Sequence, residues 1–363
     1  MVPTTETELA ETLAAARAPL RVLGGGTRGA PTGGAALSAA GLSGVTLYEP
    51  GALTLVAAAG TPLTEVETLL AEHGQRLAFE PMDHRSLMGT AGAPTLGGVF
   101  AGNVSGPRRI AVGAARDFAL GLRFVDGSGQ AVSNGGRVMK NVTGYDLVRL
   151  MCGSRGRLGV LTEISLKVLP TPETAGMLVL EGLAPARAVA AMAAALGSPY
   201  EVTGAAHDPA QSRTWLRIEG FEAQVRYRLD RLAERLADFG SAEAVHDPEE
   251  VARVWAGVRD VTPFHGQPGT VWSVHCRPSQ APELLARAEA EGALLDWGGG
   301  LIWLRVPEGT ALRARLGAFD GHATRVRGAG AEPTAPPEAP AVAALTEGLR
   351  RRFDPRRILN AEG

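Results

Sequence analysis

A glycine-dense stretch over residues 88–162 constrains the fold of this chain more than any other feature. It contains Thr-Leu-Gly-Gly at 95–98, Asn-Val-Ser-Gly-Pro at 103–107, Gly-Ala-Ala-Arg-Asp at 113–117 and Lys-Asn-Val-Thr-Gly-Tyr-Asp at 140–146. Glycine at this density either leaves a chain disordered or lets the backbone close on a ligand. Because apolar, strand-like segments alternate with the glycines, the pattern predicts a pocket of main-chain atoms for a large phosphorylated cofactor.

Local patterns within this stretch predict a short helix over 88–102 and a strand over 116–126. A second glycine-rich turn lies near the N terminus, where the predicted strand 19–23 runs into Gly24–Gly29. A strand that ends in such a turn can present N–H groups to a pyrophosphate. The turn is neither a Walker loop nor a GxGxxG that opens a helix, so a plain tight turn is an equal alternative.

Length and composition indicate a globular protein of two or three domains. The 363 residues give ample length for buried cores, and no apolar run reaches the ~18 residues of a membrane helix. The acidic N terminus lacks a secretory pattern, so we expect a cytoplasmic protein. A net charge of −2 argues against a nucleic-acid surface. The two cysteines, Cys152 and Cys276, are predicted to be free core thiols, too few for an iron–sulfur ligand set.

From residue 171 onward, longer amphipathic runs replace the glycine phrases. They predict the order βαββαβ twice, which is the ferredoxin-like order, although no residue-level repeat is visible. The predicted strands are 176–181, 200–206, 213–219 and 242–246, then 270–276, 293–297, 301–306 and 321–326. A Pro/Ala linker follows at 329–340, and the last residues, 341–363, form a helix and tail.

Taken in order, five motifs resemble the FAD-binding domain of the vanillyl-alcohol oxidase family, also called the PCMH-type domain. They are the glycine turn at 24–29, the phrases at 95–106, 113–117 and 140–146, and Gly-Arg-Leu-Gly-Val-Leu-Thr at 156–162. Within that family, the chain is most similar to the glycolate oxidase FAD-binding subunits. The match spans residues 19–170, and Asp-Pro…Leu-Asn at 354–360 resembles the C-terminal DPxxxLNPG of the family.

The resemblance implies an α+β fold with two parts. A PCMH-type FAD-binding domain over 1–170 would have lobes at about 1–82 and 83–170. An antiparallel α+β cap, with the ferredoxin-like order possible in duplicate, would cover 171–328. The linker at 329–340 would then lead to a C-terminal helix and tail, which return to the FAD-binding domain.

The resemblance also implies which residues bind FAD. The expected set is Gly24, Gly25, Gly26, Thr27, Arg28 and Gly29, then Pro81, Thr95, Leu96, Gly97, Gly98, Asn103, Ser105 and Gly106, and finally Arg116, Asp117, Gly156, Gly159, Val160, Leu161 and Asn360. Many family members attach FAD through a histidine beside the first glycine loop. Thr27 and Arg28 stand at that place here, so we expect non-covalent FAD.

Catalytic residues cannot be assigned from the sequence. Related D-2-hydroxy-acid dehydrogenases carry an HxxxGDGNxH motif that holds a metal, and none of the seven histidines here lies in such a motif. No metal site is therefore predicted. Arg108, Arg109 and Tyr145 are weak candidates for binding the substrate carboxylate or for proton transfer, and Tyr145 could equally be a packing residue.

Three functions are compatible with these observations. The first is an FAD-binding subunit of a glycolate oxidase complex that oxidises glycolate to glyoxylate. Its partners would be a D-type flavoprotein subunit and an iron–sulfur subunit, which could hold it at the inner membrane as a peripheral protein. The second is a self-sufficient FAD-dependent oxidoreductase for a small 2-hydroxy acid. The third is a non-catalytic assembly subunit that retains the fold.

Overall fold

The computed structural model describes residues 1–29, 33–137, 144–330 and 332–360, so most of the phrase at 140–146, including Lys140, lies outside the described residues. The chain forms two compact units. Unit 1 contains Met1–Ser105, Gly113–Thr171 and the C-terminal residues from Glu338 onward. Unit 2 contains Gly106–Val112 and Pro172–Pro337. Each unit is described separately below.

Short helices and strands make up the first 171 residues. In chain order they are α1 (Glu6–Ala15), β1 (Leu20–Leu23), β2 (Ala35–Ser38), β3 (Val45–Glu49), β4 (Thr54–Ala58), α2 (Leu63–Glu72), β5 (Gln75–Arg76), α3 (Arg85–Met88), α4 (Leu96–Gly102), α5 (Arg109–Val112), α6 (Ala115–Phe118), β6 (Ala119–Val125), β7 (Ala131–Gly135), α7 (Leu147–Met151), β8 (Val160–Lys167) and β9 (Leu169–Pro170). Of these, α5 belongs to unit 2.

Two predicted element boundaries in the glycine-dense stretch differ from those in the structure. The helix predicted over 88–102 begins only at Leu96, because the Thr95 hydroxyl caps it by accepting the N–H of Gly98. The strand predicted over 116–126 begins at Ala119, after the short helix α6. The Asp117 carboxylate accepts the Ala114 N–H and closes that helical turn.

A five-stranded antiparallel sheet forms the core of unit 1, with the order β3-β4-β8-β6-β7. Strand β8 lies at its centre and pairs with β4 on one side and β6 on the other. Its Ile164 and Leu166 are fully buried, as are Leu55 of β4 and Phe124 of β6. These buried apolar side chains of the central strand and its two neighbours therefore hold the sheet together.

The C-terminal tail packs on β1, beside the small parallel pair β1–β2. The Leu20 N–H donates to the Ile358 carbonyl at 2.6 Å, and the Asn360 N–H donates to the Leu20 carbonyl at 3.1 Å. The fully buried Asp354 carboxylate accepts the N–H groups of Ile358 and Leu359 at 3.0 and 2.9 Å. The last residues therefore hold the strand that leads into the first glycine turn.

Unit 2 contains the remaining elements except the last helix. They are β10 (Thr174–Glu181), α8 (Pro185–Leu196), β11 (Gly204–Asp208), β12 (Arg213–Gly220), α9 (Glu222–Arg235), β13 (Ala242–Val245), α10 (Pro248–Arg259), β14 (Thr270–Cys276), α11 (Ala281–Ala288), β15 (Gly292–Asp296), β16 (Leu301–Val306), α12 (Leu312–Leu316) and β17 (Gly321–Arg327). Helix α13 (Pro340–Phe353) follows and belongs to unit 1.

The strands of unit 2 form one eight-stranded sheet with the order β13-β10-β12-β11-β15-β16-β14-β17. Each half has the strand order 4-1-3-2 of a ferredoxin-like βαββαβ motif, and the halves meet where His207 of β11 pairs with Leu295 of β15. Helix α10 connects the two halves. The duplicated order expected from the sequence is therefore confirmed, although the two halves share no residue-level repeat.

Replacing Asp354 with alanine tests the importance of the C-terminal tail. Its buried carboxylate satisfies two main-chain N–H groups, so Asp354→Ala should lower the free energy of unfolding by about 1–3 kcal/mol. Urea denaturation measures the change. The matched control is Glu11→Ala, which removes an exposed carboxylate from α1 and should change stability by less than about 0.5 kcal/mol. Equal effects of the two substitutions would contradict the role assigned to Asp354.

Candidate functional site

Two glycine-rich segments of the predicted site, the turn at 24–29 and the segment before α4, are in direct main-chain contact. A Cβ atom on Gly25 would overlap the Ala93 carbonyl oxygen, and one on Gly92 would overlap the carbonyl oxygen of Gly25. The Thr90 hydroxyl also donates to the Thr27 carbonyl at 2.9 Å. Only glycine allows this approach, so the turn at 24–29 and the segment before α4 form one continuous main-chain surface.

Helix α4 is held just as closely on its other side. The Gly97 N–H donates to the Ala59 carbonyl at 2.7 Å, and a Cβ on Gly97 would lie 2.6 Å from the Ala59 Cβ. Leu96 is fully buried, and its N–H donates to the Thr61 carbonyl. The glycines at 25 and 97 thus face protein atoms, and their contact with FAD stays a prediction. Gly26 differs, because a Cβ there would meet no atom within 4 Å.

Side-chain hydrogen bonds connect the predicted FAD-binding residues that lie between positions 103 and 117. Asn103 ends α4 in the left-handed region with φ 47°, and its Oδ1 accepts the Arg116 N–H at 3.0 Å. The Ser105 hydroxyl accepts the Ala115 N–H at 2.9 Å. Asn103, Ser105, Arg116 and Asp117 therefore lie close together through contacts within the chain, and their contact with FAD stays a prediction.

Arg28 lies against the glycine face of α4. A Cβ on Gly98 would lie 2.7 Å from its Nη2, and one on Gly102 would lie 2.5 Å from its Nη1. That Nη1 is buried and has no hydrogen-bond partner among the described residues. Burial, followed by the nearby charge of Arg155, lowers the pKa of Arg28 to about 10, so the guanidinium stays charged at neutral pH. A buried guanidinium nitrogen without an acceptor in the described chain is a candidate contact for an anion.

His84 lies near Arg28 and carries no charge. Its Nδ1 lies 3.2 Å from the Met82 carbonyl oxygen, which can only accept, so Nδ1 carries the proton and Nε2 is left as an acceptor. Burial, followed by the charge of Arg28, lowers the pKa of His84 to about 3. The neighbouring Asp83 is bound by Arg85 at 2.7 Å, and Pro81 is buried. Sequence reasoning did not select His84, since no motif surrounds it.

The remaining predicted FAD contacts support the strands beneath the loops. The Asn360 Oδ1 accepts the Val22 N–H at 2.8 Å, and its Nδ2 donates to the Arg155 carbonyl at 2.8 Å. A Cβ on Gly156 would lie 3.0 Å from that Nδ2. Gly159 packs against Phe124, while Val160 and Leu161 are buried in β8 and pair with β6. Their contact with a cofactor stays a prediction.

The three weak catalytic candidates have different surroundings. Arg108 is buried in unit 2 and pairs with Glu219 at 2.6 Å. The guanidinium of Arg109 lies 4.7 Å from the centre of the Trp297 ring, and the indole N–H of Trp297 donates to the Gly106 carbonyl at 3.1 Å. Tyr145 is 87% exposed. The sequence analysis did not select Trp297. Its position before three glycines is visible in the sequence, but its positive φ of 53° and its contact with Arg109 are visible only in the structure.

Titratable side chains also cluster in unit 2. The rings of His275 and His322 stack at 4.6 Å, and burial, followed by His322 and Arg109, lowers the pKa of His275 to about 4. Within the described ranges, no three His, Cys, Asp or Glu side chains are arranged to hold a metal ion. Both cysteines are free, as predicted, and burial raises the pKa of Cys152 to about 12 and that of Cys276 to about 11.

An open cavity of about 630 Å³ lies elsewhere on unit 2. It is lined by Glu173, Phe221, Glu222, Ala223, Arg226, Tyr227 and Asp230. None of these residues belongs to the glycine loops.

No helix in the described parts of the chain is long and apolar enough to cross a membrane.

The depressed pKa of His84 predicts a pH dependence of stability. The unfolded chain binds a proton near pH 6.5 and the folded chain only near pH 3, so His84 destabilises the fold as the pH falls between these values. In urea titrations of the cofactor-free chain, His84→Asn should reduce the stability lost between pH 7 and pH 5 by up to about 2 kcal/mol. His73→Asn, which changes an exposed histidine, is the control. Identical pH profiles for His84→Asn and the unaltered chain would refute a buried neutral His84.

Comparison with known proteins indicates FAD as the cofactor. The family profile described as "FAD binding domain" matches residues 1–135. Glycolate oxidase subunit GlcE of Escherichia coli K12 is 35% identical over 350 residues, which cover 95% of this chain and 92% of that protein. Glycolate oxidase subunit GlcD of Bacillus subtilis 168 is 41% identical over 96 residues, or 26% of this chain and 20% of that protein.

A D-2-hydroxyglutarate dehydrogenase of Xanthomonas citri is 35% identical over 127 residues, which cover 35% of this chain and 25% of that enzyme. Among solved structures, an alkyldihydroxyacetonephosphate synthase has the same fold, with a TM-score of 0.73 and 16% identity. The alignment covers 99% of this chain and 76% of the synthase. The expected PCMH-type fold is thereby confirmed. The chain belongs to the family of glycolate oxidase subunit GlcE, whose members are FAD-dependent oxidoreductases.

Proposed function

We propose that this chain is the FAD-binding subunit of a glycolate oxidase complex and takes part in flavin-mediated electron transfer when glycolate is oxidised to glyoxylate. The observation that carries the proposal is the similarity to the E. coli subunit over 95% of this chain. Shorter matches to D-lactate dehydrogenases and to the D-2-hydroxyglutarate dehydrogenase favour the same substrate class, small 2-hydroxy acids.

In this proposal unit 1 is the FAD-binding domain and unit 2 is the cap. The glycine turn at 24–29 and the segment 95–106 would hold the FAD pyrophosphate between them. Two features fit FAD. The first is the continuous main-chain surface formed by the turn at 24–29 and the segment before α4. The second is the buried Nη1 of Arg28, which has no acceptor among the described residues. FAD, when bound, would supply a redox centre that carries electrons from the oxidation of the hydroxy acid. Arg28 would offset the charge of the phosphates, and the neutral His84 would avoid adding a second charge.

The attachment of FAD is proposed to be non-covalent. Thr27 and Arg28 stand where many family members have the histidine that forms the covalent bond, and neither side chain is the imidazole nucleophile that such a bond requires. Precipitating the FAD-loaded protein with acid should release all of the flavin into the supernatant. Flavin absorbance that stays with the precipitate would show a covalent bond.

The proposed partners are a D-type flavoprotein subunit and an iron–sulfur subunit. Arg108 is already paired with Glu219, and Tyr145 points into solvent, so neither favours substrate oxidation by this chain alone. A sequence with two cysteines cannot supply the four thiolates of a typical iron–sulfur cluster. Electrons that leave the flavin would therefore pass to a cluster on another subunit.

Flavin bleaching tests the proposed function. The purified chain should retain FAD, show little bleaching with glycolate or D-lactate under anaerobic conditions, and take part in rapid bleaching once the D-type subunit is added. Rapid bleaching by the chain alone would support a self-sufficient oxidoreductase instead. Failure to retain flavin would support the non-catalytic assembly subunit.

Arg28→Met tests the anion site directly. Loss of charge-assisted hydrogen bonds to the phosphates should weaken FAD binding by about 10–100-fold, measured by quenching of flavin fluorescence. The cofactor-free variant should be as stable as the unaltered chain or more stable, because a buried, incompletely paired charge is gone. Arg149→Met, which changes an arginine that is 65% exposed, should leave FAD affinity unaltered. Unchanged affinity in Arg28→Met would show that Arg28 does not contact the cofactor.

A further inference from the structure

Helix α13 presents an apolar face to solvent. None of its 14 residues is buried, and the exposed fractions of Val342, Leu345 and Leu349 are 50%, 71% and 38%. A helix of this length is only marginally stable in water unless one face packs against something. The 3–4 spacing of these three residues is that of a helix that packs along another helix.

The apolar face ends in a positive charge. At 100° per residue, Ala341, Val342, Leu345, Leu349 and Arg352 fall within an arc of about 100°. Arg352 is exposed and has no ion pair among the described residues. Glu347 lies on another side of the helix, where it pairs with Arg351 and Arg357. The face therefore offers a stripe of apolar side chains that ends in one accessible cation.

We propose that this face of α13 docks an amphipathic helix of a partner subunit, whose apolar side chains cover Val342, Leu345 and Leu349 and whose carboxylate meets Arg352. The proposal rests on the proposed function, because it requires that the chain works in a complex. Charge complementarity defines the partner helix. It has an apolar seam, and it has an acidic residue at the end that lies against the C terminus of α13.

A second copy of the chain does not fit this face. In a parallel pair, Arg352 of one copy would face Arg352 of the other. In an antiparallel pair, Arg352 would face the uncharged residues 340–346. A membrane surface fits poorly too. Helices that lie in membranes have basic residues along the polar face and bulky apolar ones opposite, whereas the arginines of α13 are confined to its last turn.

Co-purification of the complex tests this docking site. The full chain, carrying a tag and FAD, is co-expressed with the D-type flavoprotein and the iron–sulfur subunit. Leu345→Glu should reduce the amount of at least one co-purified subunit by more than about 10-fold, and Arg352→Glu should weaken the same interaction. The matched controls are Ala344→Glu and Arg351→Glu, which place the same charges outside the apolar face and should leave the complex intact.

Folding and flavin content serve as independent measurements. Leu345 is largely exposed, so Leu345→Glu should leave the thermal midpoint and the FAD content of the isolated chain unchanged. Full retention of both subunits by Leu345→Glu would overturn the docking proposal and leave the proposed function in place. If the unaltered chain retains neither subunit, both proposals fail.

Two further outcomes would also overturn the docking proposal. The first is a dimer of the isolated chain, seen by sedimentation and lost in Leu345→Glu, which would assign the face to a second copy. The second is binding of the unaltered chain to phosphatidylglycerol vesicles that is lost in the same variant, which would assign the face to a lipid surface.

Discussion

The close contact between two main-chain segments, Gly25 on one side and Gly92–Ala93 on the other, is the constraint on which the candidate site depends. Side chains at Gly25 or Gly92 would overlap a carbonyl oxygen of the opposite segment. The strands behind these segments are fixed in turn by the tail, through Asn360 and the buried Asp354. A cofactor surface made of main-chain atoms thus requires support from residues more than 300 positions away.

The sequence predicted the order of strands in unit 2 with good accuracy, because alternation and helical periodicity report directly on buried faces. The duplicated βαββαβ order was visible in this way even though the halves of unit 2 share no motif. Boundaries inside the glycine-dense stretch were less accurate. Helix α4 begins where the Thr95 hydroxyl caps it, and α6 forms because Asp117 reaches the Ala114 N–H. Such local hydrogen bonds compete with strand propensity, and the hydrophobic pattern does not record them.

The candidate site could be predicted only in part. Glycine phrases marked the loops, since glycine is required where main chains touch. They did not separate glycines that contact protein, such as Gly97 and Gly159, from Gly26, which borders open space. Nor did the sequence indicate His84 or the environment of Arg28, because burial and pKa depend on neighbours that are distant in the chain. A sequence motif identifies a family, whereas the state of charge inside the site follows from the packing.

Two arginines show why the environment of a charge matters more than its presence. Arg108 has a carboxylate of its own chain, that of Glu219, within 2.6 Å. Arg28 lies over glycines and beside a neutral imidazole, and its Nη1 has no acceptor in the described chain. Burial of that charge costs folding free energy, which an arriving anion can recover. Among the arginines named from the sequence, Arg28 is therefore the one that we propose to meet a phosphorylated ligand, whereas Arg108 is paired within the chain.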